Sequence, residues 1–179
     1  MNIRAIVLPV AAMAATLAIC GCQGAAVQRT TEPPAACANL TLELTGSGLG
    51  KPTVFTFGQL AHMPMTRLDN VLWQKTHEPD EVTSWRGPAL QALLAAAEVK
   101  PGPMAFTLEA ADGYQKRCTD ADVSSAIVAL QDGDGRWLSE VSRRSGLRLV
   151  PPKLTGNYWI RNISRITVEL AEKSEEPGR

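Results

Sequence analysis

Residues Trp85 to Leu94 read W-R-G-P-A-L-Q-A-L-L and carry the strongest structural pattern of the chain. The three leucines of this stretch, Leu90, Leu93 and Leu94, recur at helical spacing and place one apolar stripe on a helix. Pro88 stands just before them, where the first turn of a helix tolerates proline. Residues 82–85, ahead of that proline, are predicted as a strand. The sequence therefore predicts a strand that leads into the clearest helix of the chain.

Short stretches of alternating apolar and polar residues lie on both sides of this helix. Leu42 and Leu44 alternate with threonine and glutamate, which predicts a strand with one buried face. Further strands are predicted over residues 54–57, 67–74, 104–110, 114–118, 126–130 and 147–150, and a last one carries Ile166, Val168 and Leu170. Thr56 and Thr119 are predicted to cap short helical turns. Many short strands with one good helix indicate an α+β fold in which β-structure dominates.

A series of short motifs extends this pattern along the chain. They are T-F-x-x-L at 56–60, W-x-G-x-x-L-x-x-L-L at 85–94, D-G-Y at 112–114, L-R-L-V-P at 147–151, and I-R with R-I at 160–161 and 165–166. In this order they resemble the molybdopterin-binding oxidoreductase domain, the catalytic domain of the sulfite oxidase family. The resemblance covers about Leu40 to Leu170. It implies a sulfite oxidase-like fold, with a mixed sheet and short helices.

The resemblance also implies a molybdopterin cofactor, whose metal the family holds with a cysteine thiolate just ahead of the W-x-G motif. Residues 69–75 correspond to that stretch and contain no cysteine. Leu72 or Trp73 occupies the ligand position, and neither side chain can coordinate a metal. Arg161 falls where the family has a basic residue near the pterin phosphate. We therefore expect cofactor or anion binding at Arg161, Arg148 and Trp73, and assign no metal ligand.

Charge is distributed unevenly in the second half of the chain. Residues 143–165 carry six cations and no carboxylate: Arg143, Arg144, Arg148, Lys153, Arg161 and Arg165. Guanidinium groups offer paired donors, which suits a planar or phosphorylated anion. The alternative is a solvated basic face. Because the net charge of the chain is zero, nothing draws it generally toward nucleic acid.

The N-terminus predicts export. Residues 1–21 carry one early positive charge and then an alanine-rich apolar run, which is shorter than the ~20 residues of a membrane span and is typical of a signal peptide. The run ends at Ile19-Cys20-Gly21-Cys22, which resembles a bacterial lipoprotein cleavage site with Cys22 as the lipidated residue. The alternative is an ordinary cleaved signal or an uncleaved anchor. The chain is expected in the bacterial cell envelope, anchored by lipid and facing the periplasm or the exterior.

The rest of the chain divides into three parts. Residues 22–38 are predicted as a flexible tether, 39–170 as one domain, and 171–179 as a disordered charged tail. Two cysteines, Cys37 and Cys118, remain after processing, and in an oxidising compartment a disulfide between them is expected. Two separate buried thiols are the alternative.

Other chemistries find little support in the sequence. Asp132-x-Asp134-Gly135 begins like a calcium loop, but cations stand at the fifth and twelfth positions, Arg136 and Arg143, so a hairpin turn is predicted instead. The two histidines, His62 and His77, have no second ligand nearby in sequence. No hydrolase, P-loop or dinucleotide motif is present in the sequence.

The missing cysteine favours a binding module over an enzyme. We expect an envelope lipoprotein that has kept the oxidoreductase-like fold and now holds a small anionic ligand or an envelope protein partner. The alternatives are an active molybdopterin oxidoreductase that binds its cofactor without a cysteine ligand, transferring oxygen atoms or electrons, and an accessory subunit of a redox complex.

Overall fold

The computed structural model describes residues 32–75, 77–141 and 146–171. Within these ranges it has ten strands: β1 (Thr41–Thr45), β2 (Thr53–Thr56), β3 (Met65–Trp73), β4 (Glu81–Pro88), β5 (Met104–Ala110), β6 (Gln115–Thr119), β7 (Ile127–Ala129), β8 (Gln131–Asp132), β9 (Arg148–Val150) and β10 (Ile163–Leu170). The helices are α1 (Phe57–His62), α2 (Leu90–Ala96), α3 (Asp120–Val123) and α4 (Leu138–Val141), with 3₁₀ turns at Ala35–Cys37 and Gly156–Tyr158. The predicted β-dominated α+β class is confirmed.

The largest sheet has five strands in the order β2-β1-β10-β5-β6. It is mixed, because β1 pairs with β10 in parallel and the other neighbours pair antiparallel. Leu42 and Leu44 of β1 are fully buried, as the alternating pattern predicted. They share one core with Leu90, Leu93 and Leu94 of α2. The face of this sheet that carries the leucines therefore packs against the rest of the molecule.

A second layer contains β3, β4 and β8 in one sheet, and β7 pairs with β9 beside it. At Gly87, β4 runs so close to β7 that an added Cβ would overlap the carbonyl oxygen of Val128. The glycine of the W-x-G motif is therefore required by a close approach of two backbones. A smaller apolar cluster lies in this layer and contains Trp85, Ile127, Ala129, Leu138, Val150 and Trp159.

The capping predictions are confirmed at both threonines. In α1, the Thr56 hydroxyl accepts from the Gln59 backbone N–H at 3.2 Å, and the Gln59 side chain accepts from the Thr56 N–H at 2.8 Å. At α3, Asp122 accepts from the backbone N–H of Thr119 at 2.9 Å and from its hydroxyl at 2.7 Å. The bonds in α1 are the reciprocal pair of a capping box, whereas both bonds at α3 run from Thr119 to the Asp122 carboxylate. Each short helix begins where the sequence predicted.

The start of α2 differs from the prediction. Pro88 is the last residue of β4, and Ala89, whose backbone is extended (φ −65°, ψ 137°), is the N-cap of the helix. The backbone N–H of Leu90 donates to the carbonyl of Ala126 at 2.9 Å. The helix therefore begins two residues after the proline, because the strand continues through it.

Three further predictions concern the two ends of the domain. Leu170 is 43% exposed, since it lies at the end of β10 opposite the first residue of β5. The 3₁₀ turn at Ala35–Cys37 lies inside the segment predicted as tether, and Cys37 is fully buried. The signal peptide, Cys22, most of the tether, Arg143, Arg144 and residues 172–179 lie outside the described residues. In the described part of the chain, no helix is long and apolar enough to span a membrane.

The predicted disulfide is absent from the structure. Cys37 and Cys118 are both buried and both free thiols, which is the alternative arrangement. Cys37 lies in the turn that leads into β1, whereas Cys118 lies on β6, and two strands stand between β1 and β6 in the sheet.

Candidate anion-binding site

Three tryptophans meet beside the smaller apolar cluster. Trp73 ends β3, Trp85 lies on β4, and Trp159 follows the second 3₁₀ turn. The rings of Trp73 and Trp159 are stacked, with centroids 5.7 Å apart and planes 7° from parallel. Trp85 stands edge-on to both, at 6.4 Å from Trp73 and 6.3 Å from Trp159. The three indoles form a rigid aromatic wall, which we call the tryptophan cluster (Trp73, Trp85 and Trp159).

The indole N–H groups of the two buried members are satisfied within the fold. Trp85 Nε1 donates to the Thr83 hydroxyl at 2.8 Å, and Trp159 Nε1 donates to the Leu154 carbonyl at 3.1 Å. Trp85 is 7% exposed and Trp159 is 3% exposed. Both rings are therefore fixed in orientation before any ligand arrives.

Arg148 packs its guanidinium into this cluster. It lies on β9 and is 5% exposed, and its Cζ is 4.7 Å from the Trp85 ring and 4.9 Å from the Trp73 ring. Its Nε is buried and has no hydrogen-bond partner. Among the described residues, no carboxylate is within ion-pair distance of its guanidinium. The aromatic rings therefore provide cation–π contacts, which leave the buried Nε–H without an acceptor.

This burial changes the electrostatics of Arg148. Desolvation lowers its pKa to about 10, and the positive charge of Arg161 lowers it as well, while Glu81 opposes the change. The group still carries its charge at neutral pH. A buried donor without an acceptor costs about 1–3 kcal/mol, and more when it is charged. An arginine kept under these conditions indicates a position prepared for an anion.

Arg161 is the second guanidinium at this position. The backbones of Arg148 and Arg161 form an isolated antiparallel bridge, and the Leu149 N–H donates to the Ile160 carbonyl at 3.0 Å. This pairing places the two arginines opposite each other. The Cζ of Arg161 is 5.4 Å from the Trp73 ring, its side chain is exposed, and no carboxylate pairs with it in the described ranges.

Lys75 is a third cation over the same indole, but its charge is already balanced. Its Nζ lies 4.7 Å from the Trp73 ring and pairs with Glu81 at 2.8 Å and Glu78 at 3.1 Å. Hydrogen bonds to Glu81 and Glu78 raise the pKa of Lys75. Lys75 offsets one of these two carboxylates, and Arg148 and Arg161 are the cations of the site that have no ion-pair partner among the described residues.

A cavity of about 240 Å³ opens beside the cluster, and its lining includes Lys75, Glu78 and Arg161 but not Arg148. Gly156 forms part of its wall, and its backbone N–H donates to the Gln74 carbonyl at 2.9 Å. An added Cβ on Gly156 would overlap that carbonyl and collide with the Trp73 indole. A glycine here lets the loop close against the tryptophan cluster.

The structure brings together the three residues that the sequence assigned to the site, Trp73, Arg148 and Arg161. The other described cations of residues 143–165 point elsewhere. Arg165 pairs with Glu43 at 2.8 Å on the five-stranded sheet, and Lys153 donates to the Ser124 hydroxyl at 2.9 Å. The basic segment is therefore not one patch.

Sequence reasoning missed the other contributors. Lys75 and Gly156 carry no signal of their own, and neither Trp85 nor Trp159 is assigned to the site from the sequence. The remaining candidates form no site: His62 contacts the Gly58 carbonyl at 2.6 Å, and Asp132 pairs with Arg136 at 2.7 Å. In the described ranges, no group of three or more histidine, cysteine, aspartate and glutamate side chains could hold a metal.

Comparison with known proteins gives a likeness among solved structures. No protein-family model matches the sequence, and no curated protein matches it. Among solved structures, the sulfane dehydrogenase SoxCD from Paracoccus pantotrophus is similar, with a TM-score of 0.64 and 23% sequence identity. The chain shares the fold of this sulfane dehydrogenase. The match covers 81% of this chain and 42% of the SoxCD chain, so this chain spans less than half of that length. The predicted sulfite oxidase-like fold is confirmed by this likeness.

The side chains present fit only part of a molybdopterin cofactor. At the position of the metal ligand, Leu72 is 48% exposed and Trp73 is stacked on Trp159, and neither offers a thiolate. The described cysteines, Cys37 and Cys118, belong to the main core and not to the tryptophan cluster. Arg148 and Arg161 offer donors that suit an oxyanion. The site therefore fits an anionic group and does not fit a metal held by a protein thiolate.

Proposed function

We propose that this chain is a cell-envelope lipoprotein whose sulfite oxidase-like domain is a non-catalytic module that binds a small anion at Arg148 and Arg161. One observation carries the proposal. The Arg148 guanidinium is buried against two tryptophans, and its Nε lacks any acceptor.

Electrostatics explains why this arrangement suits a ligand. Two unpaired guanidiniums repel each other across the Arg148–Arg161 bridge, and the neighbouring carboxylates are occupied by Lys75. An anion between the arginines would supply acceptors and relieve that repulsion at once. Charge-assisted hydrogen bonds are worth about 1.5–3 kcal/mol each, which offsets the cost of burying the charge.

The alternative functions are an active molybdopterin oxidoreductase and an accessory subunit of a redox complex. The likeness to SoxCD, a sulfane dehydrogenase, supports the fold from which such activities could come. The absence of a thiolate at residues 69–75 and of sulfur donors in the tryptophan cluster argues against the enzyme. A binding role requires only the groups that are present.

The test is a calorimetric titration of the intact chain with sodium sulfate at low ionic strength. Arg161→Gln removes one guanidinium from the site, and we expect about a tenfold or larger loss of affinity, which corresponds to ~1.4 kcal/mol. Arg117→Gln is the matched control, because Arg117 is also exposed, lies on β6 and has no ion-pair partner among the described residues. Equal affinities in the wild type and both variants would contradict the proposal.

Metal and pterin content separates the binding module from the enzyme. The chain is produced in a host that makes the molybdenum cofactor, and molybdenum is measured by mass spectrometry and pterin by fluorescence of its oxidised form. We expect neither at a stoichiometric level. Near-stoichiometric metal and pterin would favour the oxidoreductase.

A further inference from the structure

We propose that the open edge of β4 beside β8 is a docking site for an extended segment of a partner protein. The segment pairs with β4 as an additional antiparallel strand, carries an apolar residue at its centre and is cationic on both sides of it. This edge is independent of the proposed anion site, because neither Arg148 nor Arg161 is part of its lining.

The ladder between β4 and β8 is short. The two strands pair only at Trp85 and Arg86, whereas β3 accompanies β4 as far as Glu81. On the β8 side, the stretch from Glu81 to Ser84 therefore has no neighbouring strand in the part of the chain that the structure describes. None of the described backbone hydrogen bonds outside the helices and ladders involves residues 81–84. This part of β4 is an open sheet edge.

The backbone of Val82 points to the open edge. The Arg86 carbonyl accepts from the Leu130 N–H at 2.9 Å, so the backbone groups of Arg86 face away from β3. Backbone groups of every second residue in a strand face the same side, and the bulge in the β3–β4 ladder adds a residue to β3, between Leu68 and Val71, and not to β4. The N–H and carbonyl of Val82 therefore face the side without a strand, where an extended peptide can pair with them.

A groove of about 410 Å³ follows this edge, between β4 and the turn after β8. Val82 lies in the groove and is 61% exposed, and its cross-strand partner Leu72 is 48% exposed. Directly paired residues of neighbouring strands turn their side chains to the same face of a sheet. The two side chains form an exposed apolar pair beside the free backbone groups of Val82. A segment that pairs with Val82 would place one side chain on this pair, and an apolar side chain fits there.

The segments around the groove are acidic. Residues 65–88 and 131–136, which contain β3, β4 and β8, carry six carboxylates and four cations, Arg86 included. Near each end of the groove two carboxylates share one cation: Glu78 and Glu81 share Lys75, and Asp132 and Asp134 share Arg136. A negative charge at both ends attracts a segment with cationic residues on both sides of its apolar residue.

The first experiment titrates the intact chain with the peptide acetyl-K-T-V-T-K-amide and follows the backbone amides by NMR. We expect shift changes at residues 81–84 and 132–136, and slower hydrogen exchange of the Val82 amide, because its N–H gains an acceptor. N-methylation of the valine in the peptide should weaken binding at least tenfold, since it removes the N–H that faces β4 in an antiparallel pair. N-methylation of a neighbouring threonine is the matched control and should retain binding, because that N–H points away from the edge.

Two protein variants test the edge itself. Val82→Pro removes the outward N–H and no donor to β3, so we expect at least tenfold weaker binding. Val54→Pro is the matched control, because Val54 is 57% exposed on β2, the outer strand of the five-stranded sheet. Its N–H also faces outward, since the Phe57 N–H, three residues on, donates inward to Leu40. Equal binding by the two variants would overturn the proposal. If Val82→Pro does not fold, the two N-methylated peptides decide the question on the unchanged chain.

The chemistry of the segment is tested with two further peptides. We expect acetyl-E-T-V-T-E-amide and acetyl-K-T-S-T-K-amide each to bind at least tenfold more weakly than the first peptide. Equal binding of the acidic peptide would overturn the cationic segment, and equal binding of the serine peptide would overturn the apolar contact. If the chain alone forms a dimer in sedimentation experiments, and Val82→Pro abolishes it, the edge is occupied by a second copy and the proposal of a partner protein is wrong.

Discussion

The guanidinium carbon of Arg148 lies 4.9 Å from the centroid of the Trp73 ring, and this pair joins the first residue of β9 to the last residue of β3. The contact buries a positive charge with no carboxylate in ion-pair distance among the described residues. A fold selected for stability alone gains little from such a group, because desolvation exceeds what cation–π contacts return. A mutation of Arg148 should therefore change the ligand affinity and the stability of the fold in different ways, and both effects can be measured.

Replacing Arg148 should lower the affinity for the anion without lowering the stability of the fold. In Arg148→Met, we expect the affinity for sulfate to fall at least tenfold, while the melting temperature stays the same or rises. The reason is that an apolar side chain of similar length removes the desolvation cost of the buried charge. Calorimetry and thermal denaturation measure the two effects. A fall in melting temperature of more than ~10 °C would show that Arg148 is a structural residue.

The pH dependence of binding should follow Arg148. Burial and the charge of Arg161 lower its pKa to about 10, so it is charged below that value and loses its charge as the pH rises through it. We expect sulfate affinity to be constant between about pH 6 and 9 and to decline through about pH 10. Arg148→Met should abolish this step, and its persistence in that variant would assign it to another group.

The lowered pKa of Arg148 also affects the stability of the fold. An ion pair would raise the pKa of an arginine and stabilise the fold, whereas the burial of Arg148 lowers its pKa and destabilises the fold. The folded-state pKa of Arg148 lies below its ordinary value, so the unfolded chain binds more protons than the folded chain above about pH 10. The destabilisation by Arg148 is therefore fully present below pH 10 and diminishes above it. Denaturant titrations of wild type and Arg148→Met at pH 7 should show the variant to be at least as stable.

Gly156 should be needed for the shape of the site. An added methyl group in Gly156→Ala would overlap the Gln74 carbonyl and press on Trp73, so we expect the loop to shift and sulfate affinity to fall several-fold. The matched control is Gly58→Ala in α1, where the added Cβ meets only the Thr56 hydroxyl oxygen at 4.0 Å. That change should leave binding unaffected and stabilise the chain by about 0.5–1 kcal/mol. Equal binding by both variants would show that the 156–158 turn is not part of the site.

The cysteines should behave as buried free thiols. Desolvation raises the pKa of Cys118 to about 12, and Asp122 adds to the effect, so little thiolate is present at pH 8. We expect iodoacetamide to leave the Cys118 peptide unmodified in the folded chain and to modify it after denaturation without reductant. Peptide mass spectrometry measures both states. If modification after denaturation required a reductant, the disulfide with Cys37 would be present after all.

Much of the fold could be predicted because strand burial has a local signature. Leu42 and Leu44 alternate with polar residues, and a pleated strand turns alternate side chains to the same face. The capping pairs of Thr56 and Thr119 act over three residues, so they too are visible in sequence. Pro88 was misplaced because a proline suits both the end of a strand and the first turn of a helix, and only the pairing of β4 with its neighbours decides between them.

The site was only partly predictable, because contacts between side chains that are distant in sequence leave no local pattern. Trp73, Arg148 and Arg161 were named from the family resemblance, but no local pattern states that their side chains meet. Arg165 and Lys153 lie in the same basic segment and point to other faces, because strand register fixes each direction separately. Lys75 and Gly156 contribute through a loop and a close backbone contact, which leave no periodic signal.

The amino-acid sequence was sufficient to predict the class of fold and the caps of the short helices, and it shows the glycine of the W-x-G motif and the lack of a thiolate at residues 69–75. These are properties of composition and of spacings that act over a few residues. Tertiary packing was needed to show that Trp73, Trp85 and Trp159 meet, that the Nε of Arg148 is buried among them without a partner, and that Cys37 and Cys118 are free thiols. Burial and contact depend on which strands become neighbours, and pairings across tens of residues are set by the packing of the whole chain.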